Sequence, residues 1–264
     1  MKALVNGREA DSVSLQDRGL NYGDGLFETI AIRRGSPRLF DLHLARLAEG
    51  CARLALPMPD ASLLAREVSA VTEAREQVVK LVLTRGAAGR GYRPPERPEP
   101  TRIVAAYATP PARAGEARLR TCRTRLGWSP ALAGLKHLGR LEQVLARSEW
   151  RGDGAQEGLM LDPEGHAICG TQTNLFLMRQ GELLTPRVDR AGVDGVMRRA
   201  VLRWARGRCI VAREARLRTE DLHGAEEVFL TNALIGAWPV VELDGRALRR
   251  GGVATEFNAW LESV

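Results

Sequence analysis

The alternation of apolar and polar positions divides the chain into short strands and amphipathic helices. A strand over residues 1–5 is predicted to end at the Asn6-Gly7 turn, and residues 25–33 form a second, with Phe27, Thr29 and Ala31 opposite Leu26, Glu28 and Ile30. From Asp41 onward, Leu44, Leu47, Cys51 and Leu54 recur at the spacing of one helical stripe, and Pro57 ends it. Asp60 is suited to cap a following helix that turns Leu64, Val68 and Val71 inward. Residues 78–84 and 102–108 read as strands on either side of a glycine-rich loop, residues 85–92.

The second half predicts strands over 118–125, 158–162 and from 167 onward, and a hairpin of 174–178 with 182–185 around Gln180-Gly181. A helix is expected over 140–150. Another, over 194–206, places Met197, Ala200, Val201 and Trp204 on one face, and strands over 227–231 and 240–243 follow. Strand runs with inserted helices, and no strict βαβ repeat, predict an α/β (α+β) chain of two domains. The boundaries expected are 1–109 for a smaller N-terminal domain, 110–116 for a Pro/Ala/Gly linker, and 117–264 for a larger C-terminal domain.

Composition narrows the class. At 264 residues the chain can bury a sizeable core without disulfides or metals. Hydrophobic residues at 44% and charged residues at 27% exclude a disordered chain. No stretch reaches the roughly 18 uncharged apolar residues of a membrane span, and no apolar run follows Lys2 as a secretion signal requires. Cys51, Cys122, Cys169 and Cys209 lie far apart with no C-x-x-C, so no metal site or disulfide framework is expected and a reduced, cytoplasmic protein fits best. The formal charge is +7, but the basic residues are interleaved with acids and aromatics make up only 5%. That pattern lacks the stacking platform of a nucleic-acid binder. A basic pocket for an anionic small molecule accounts for the same excess.

Of the 39 basic residues only Lys2, Lys80 and Lys136 are lysines. Lys136, in Leu135-Lys136-His137-Leu138, has the setting closest to a reactive amine, since apolar neighbours that desolvate a lysine make it a nucleophile; a surface lysine is the alternative. Gly192-Val-Asp-Gly195-Val-Met-Arg198 leads into a helix, where free N–H groups suit a phosphate, or where Asp194 or Gly195 simply caps. Arg46 lies off the apolar stripe of its helix, so by itself it reads as a solvated arginine. No nucleophile elbow, zinc-protease motif, phosphate-binding P-loop or dinucleotide fingerprint is present.

Taken together, the ordered segments Asp17-Arg18-Gly-Leu-Asn-Tyr22-Gly-Asp-Gly-Leu-Phe27-Glu28-Thr29, His43-Leu-Ala-Arg46-Leu, Lys136, Asn174-Leu-Phe176 and Gly192-Val-Asp-Gly195-Val-Met-Arg198 resemble the class IV aminotransferase family, the fold-type IV enzymes that use pyridoxal 5′-phosphate. Within it the chain is most similar to the aminodeoxychorismate lyase branch, through Arg85-Gly-Ala-Ala-Gly-Arg90-Gly-Tyr92, Leu132-Ala-Gly-Leu-Lys136-His-Leu-Gly-Arg140-Leu-Glu-Gln143 and Leu230-Thr-Asn232-Ala. The resemblance implies two α/β domains with the cofactor at their interface, and a homodimer.

It also implies roles. Lys136 would carry the cofactor and later move protons, Arg46 would pair with its phosphate, and Gly195, Val196 and Met197 at the helix start would hold the remaining phosphate oxygens. Asn232 and Cys169 would also face the cofactor. Phe27, Arg85, Arg90 and Tyr92 would contact the substrate, arginine forks being suited to carboxylates. The expected reaction is conversion of 4-amino-4-deoxychorismate to 4-aminobenzoate and pyruvate, a step toward folate. A D-amino acid or branched-chain aminotransferase is the alternative, and a non-catalytic binding protein of the same fold a second. Two positions depart from the family pattern: relatives usually carry Glu where this chain has Cys169, and close relatives tend to have Asn at Gly139.

Overall fold

The chain opens with two short strands, Ala3–Val5 (β1) and Arg8–Glu9 (β2), turned at Asn6 and Gly7, both with positive φ. The computed structural model describes residues 2–111, 115–152 and 154–263. Met1, with which the first strand was expected to begin, lies outside them, as do residues 112–114 of the expected linker. Among the described residues no helix is long and apolar enough to cross a membrane.

The chain divides into two units. The first runs to Pro111 and takes in Leu135–Gly139 as well. It continues with helix Arg18–Tyr22 (α1), strands Gly25–Arg33 (β3) and Ser36–Pro37 (β4), helices Phe40–Leu54 (α2) and Ala61–Val71 (α3), and strands Gln77–Thr84 (β5) and Thr101–Ala108 (β6). Helix α1 is too short to show a hydrophobic period, so no expectation covered it. The strands form one sheet in the order β2-β1-β6-β5-β3-β4, every neighbour antiparallel. Its buried face carries Ile30, Ile32, Val79, Leu81, Leu83 and Val104.

Helix α3 buries Leu64, Val68 and Val71 and is capped by Asp60, which accepts the Ser62 and Leu63 N–H groups, as the pattern predicts. Helix α2 differs from its expected stripe. Leu47 and Cys51 are buried, but the other buried positions are His43, Arg46 and Gly50, with Leu44 and Leu54 only half-buried. Gly50 allows the close approach to β3, because a methyl there would stand 2.6 Å from Leu26 Cδ1. The polar residues on this face are explained by Glu28 of β3, described below.

The second unit contains strand Ala117–Thr121 (β7), helix Leu141–Arg147 (α4), strands Glu157–Leu161 (β8), Ala167–Gly170 (β9), Asn174–Arg179 (β10) and Glu182–Pro186 (β11), helix Val196–Gly207 (α5), strand Ala212–Ala215 (β12), helix Thr219–His223 (α6), strands Glu227–Asn232 (β13), Gly236–Leu243 (β14) and Arg246–Ala247 (β15), and helix Val253–Glu262 (α7). The strand expected over 118–125 stops at Thr121, where the backbone N–H and hydroxyl both bind Asp244. The helix expected over 140–150 is trimmed to Leu141–Arg147. The sheet runs β12-β11-β10-β13-β14-β7-β8-β9, and β9 pairs back to β10, so the strands from β10 to β9 close a ring. The closing pair is Asn174 with Cys169. One face of this ring carries Leu119, Leu159, Leu175, Leu177, Leu230 and Val240. On the other face, Phe176 and Phe229 stack at 5.2 Å.

Candidate active site

Lys136 reaches the first unit through backbone pairing. The Phe27 N–H donates to its carbonyl at 3.0 Å, the Leu138 N–H donates to the Gly25 carbonyl at 3.0 Å, and His137 pairs with Leu26. Segment Leu135–Gly139 thus extends the β3 edge, which is why it departs from the unit that holds the rest of residues 117–264. The half-buried Lys136 places its Nζ 4.0 Å from the centroid of the Phe27 ring, within reach of a cation–π contact.

One residue along β3, Glu28 is 2% exposed. Its Oε1 accepts the Arg46 Nε–H at 2.8 Å, and its Oε2 meets both His43 Nδ1 at 2.6 Å and Arg46 Nη2. Burial pushes the carboxyl up, but the Arg46 charge and the hydrogen bonds from His43 and Arg46 prevail and hold it at about 2. Burial lowers His43; the Arg46 and Lys136 charges add to that, outweighing the pull of Glu28 the other way. A neutral imidazole therefore gives its Nδ1 proton to Glu28. Arg46 is not a solvated arginine: His43, Arg46, Leu47 and Gly50 form a genuine helical face on which two positions are polar.

Arg85 is held differently from expectation. Its Nε donates to Asp24 at 2.8 Å, Nη1 to the Ala55 carbonyl at 3.0 Å and Nη2 to the Leu54 carbonyl at 2.8 Å, and the residue is 6% exposed. It closes the C-terminal end of α2, where Ala55 is left-handed. Arg90 and Tyr92 are both exposed.

In the second unit, Gly134 pairs with Val193. Helix α5 begins after Gly195, which brings no side-chain cap, so the Val196 and Met197 N–H groups present an uncapped helix start. Asn174 Nδ2 donates to the Val193 carbonyl at 2.8 Å, and a methyl at Gly195 would overlap Asn174 Oδ1. Opposite Asn174 in register is Thr231, on the strand face that carries Phe176 and Phe229. The Thr231 hydroxyl is buried with no hydrogen-bond partner among the described residues. An uncapped helix start, with an unpartnered hydroxyl on the strand face that meets it, fits a phosphate group. Thr231 was not among the expected site residues, because a threonine in a strand carries no sequence signal of a missing partner.

Asn232 shapes the turn between β13 and β14, its Oδ1 accepting the Leu234 and Ile235 N–H groups at 2.9 and 3.0 Å. Cys169 is buried, and its thiol is pushed up to about 12 by burial and by Glu157, against the pull of Arg140. It is a neutral thiol. Glu157, fully buried, accepts the Gly158 N–H at 2.9 Å and the Thr171 N–H at 3.1 Å, together with the Thr171 hydroxyl.

The chain is similar to known proteins over most of its length. The pattern that defines the amino-transferase class IV family matches residues 25–243. An aminodeoxychorismate lyase of Vibrio harveyi is 34% identical over 241 residues, covering 89% of each chain. A putative branched-chain-amino-acid aminotransferase of Methanocaldococcus jannaschii is 32% identical over 259 residues, covering 94% of this chain and 90% of its own. The crystal structure of 4-amino-4-deoxychorismate lyase from Pseudomonas aeruginosa superposes with a TM-score of 0.94 at 45% identity, covering 99% of this chain and 98% of that one. The chain belongs to the class IV aminotransferase family.

Proposed function

We propose that the chain is a pyridoxal-phosphate-dependent lyase that converts 4-amino-4-deoxychorismate to 4-aminobenzoate and pyruvate. The observation that carries this reading is Lys136, one of only three lysines, held by its backbone against Phe27 with its amine over the ring. The likeness to lyases of two organisms over nearly the whole chain supports it.

Lys136 would hold the cofactor, which would supply an electron-withdrawing ring. In the second unit the Gly195–Met197 helix start is suited to a phosphate, with the Thr231 hydroxyl as a further donor, and Arg46 is the phosphate-binding candidate of the first unit. Glu28 and His43 fix the plane of the Arg46 guanidinium, so the phosphate meets a rigid donor. Lys136, once its amine is free, accepts the C4 proton of the substrate at Nζ. A proton delivered to the methylene of the enolpyruvyl group as the C–O bond breaks releases pyruvate and leaves the aromatic ring. Phe27, Arg90 and Tyr92 are the proposed substrate contacts.

The same reading includes a cytoplasmic homodimer. All four cysteines are free, which suits a reducing compartment. Leu141, Val144 and Leu145 expose one apolar face of α4, which suits a homodimer. The deciding experiment is mass detection of products from 4-amino-4-deoxychorismate and, separately, from branched-chain and D-amino acids with a keto acid acceptor. Formation of 4-aminobenzoate and pyruvate supports the lyase. Amino transfer without 4-aminobenzoate would replace it with a transaminase.

A further inference from the structure

The loop between β5 and β6, residues 85–100, is anchored in a way its exposure does not require. Arg90 is exposed and Tyr92 is 84% exposed, so burial of these side chains does not hold the loop. The backbone beneath them is held by Arg18, which is only 3% exposed. Arg18 Nη1 donates to the Gly91 carbonyl at 2.8 Å and Nη2 to the Tyr92 carbonyl at 3.0 Å. Its Nε donates to Asp24 Oδ2 at 2.8 Å, the same oxygen that takes the Arg85 Nε–H. Tyr22 completes the platform: its hydroxyl accepts the Gly91 N–H at 3.0 Å, its ring meets Tyr92 edge-on at 5.5 Å, and the Arg18 guanidinium lies 4.9 Å from its centroid.

A desolvated arginine is costly to keep, and an exposed loop tip gives little folding stability in return. Fixing Gly91 and Tyr92 does, however, hold Arg90 and Tyr92 ready for a ligand, which reduces the ordering lost on binding. We propose that Arg18 is a positioning residue for substrate recognition, presenting Arg90 and Tyr92 to a carboxylate-bearing substrate. The inference rests on the lyase reading and its dicarboxylate substrate. The three nitrogens of the Arg18 fork each serve a separate acceptor, whereas the three donors of a lysine ammonium radiate from one atom and do not span the same acceptors.

The test is steady-state kinetics of the cofactor-loaded protein with 4-amino-4-deoxychorismate, together with limited trypsin digestion, for Arg18→Lys, Tyr22→Phe, Arg90→Ala and the Arg18→Lys/Arg90→Ala pair. Arg18→Lys is expected to raise KM about tenfold with kcat within about twofold. It should speed cleavage after Arg90, the exposed loop arginine not followed by proline, with Tm unchanged to within about 2 °C. Tyr22→Phe, which loses only the hydroxyl bond, should show the same split more weakly and decides the matter if Arg18→Lys does not fold. In the double variant the KM increase should fall short of the product of the single ones. A wild-type KM in Arg18→Lys, or KM and kcat worsening together with a lowered Tm, overturns the proposal. Unchanged KM in Arg90→Ala, with 4-aminobenzoate still formed, overturns it while leaving the lyase reading intact. Absence of 4-aminobenzoate from the wild type overturns the lyase reading and the substrate assignment with it, whatever trypsin shows.

Discussion

The Glu28 carboxylate takes the Arg46 Nε–H at 2.8 Å inside the first unit, and this pair turns inward an arginine that its helix would otherwise leave in solvent. Removing one member of a buried pair leaves the other charge desolvated, a loss of about 3–5 kcal/mol. Arg46→Ala should therefore destabilise the cofactor-free protein by that order in urea unfolding. It should also weaken its affinity for pyridoxal phosphate. Arg46→Ala with stability within about 1 kcal/mol of wild type would show that Glu28 does not depend on it.

The same cluster sets an acid response. Glu28 is held at about 2 against an ordinary value of 4.5, so the unfolded chain binds its proton first as pH falls. The stability it contributes, about 3 kcal/mol, is present above pH about 4.5 and lost toward pH 2. His43 is also lowered, so the unfolded chain gains that proton first below pH about 6.5 and stability falls in the same direction. Urea midpoints should decline on acidification, first mildly and then steeply. In Glu28→Gln the steep part should shrink, and an unchanged profile would contradict the assignment.

Lys136→Ala should abolish turnover and borohydride-trapped cofactor, since Lys80 and Lys2 lie in no comparable motif. Lys136 is half-buried, so unfolding free energy should change by less than about 1 kcal/mol. Cofactor trapped on the variant would point to another lysine.

Gly195→Ala places a methyl against Asn174, whose side chain is already bound to Val193. The strain should be about 1–3 kcal/mol and should appear as weaker binding of pyridoxal phosphate, measured by fluorescence quenching. Binding equal to wild type would show that Asn174 can move away freely.

Cys169→Glu tests the family departure. A neutral thiol supports a protonated ring nitrogen less than a carboxylate does. Glu157 is already hydrogen-bonded to Gly158 and Thr171. The variant should transaminate faster than wild type, whereas the lyase step should change little because aromatisation draws the electrons away. It should also be less stable without cofactor, since a second carboxylate joins buried Glu157. Equal transamination rates would count against a role for the thiol.

Much of the architecture was legible in the pattern: the α3 face, the β10–β11 hairpin and the α5 face follow from period and turn chemistry alone. Helix α2 was legible only in part. A stripe counted in leucines passes over His43 and Arg46, because their burial depends on an acid from another element. Arg85 is the opposite case: nothing in a glycine-rich loop signals that the carbonyls of a distant helix end hold its arginine. Lys136 could be singled out by scarcity, but its placement beside Phe27 rests on an antiparallel pairing between remote segments, which no local period encodes.

The loan of Leu135–Gly139 to the first unit bears on how far the protein can be dismantled. A fragment ending near Pro111 would keep every strand of its sheet yet leave Gly25 and Phe27 without the backbone partners that Leu138 and Lys136 provide. Such a piece would carry a raw, partly apolar rim, the kind of edge that recruits other chains. Lys136 is thus also a stitch along the sheet edge, and the two units of this protein are not interchangeable parts to be cut and rejoined at a single seam.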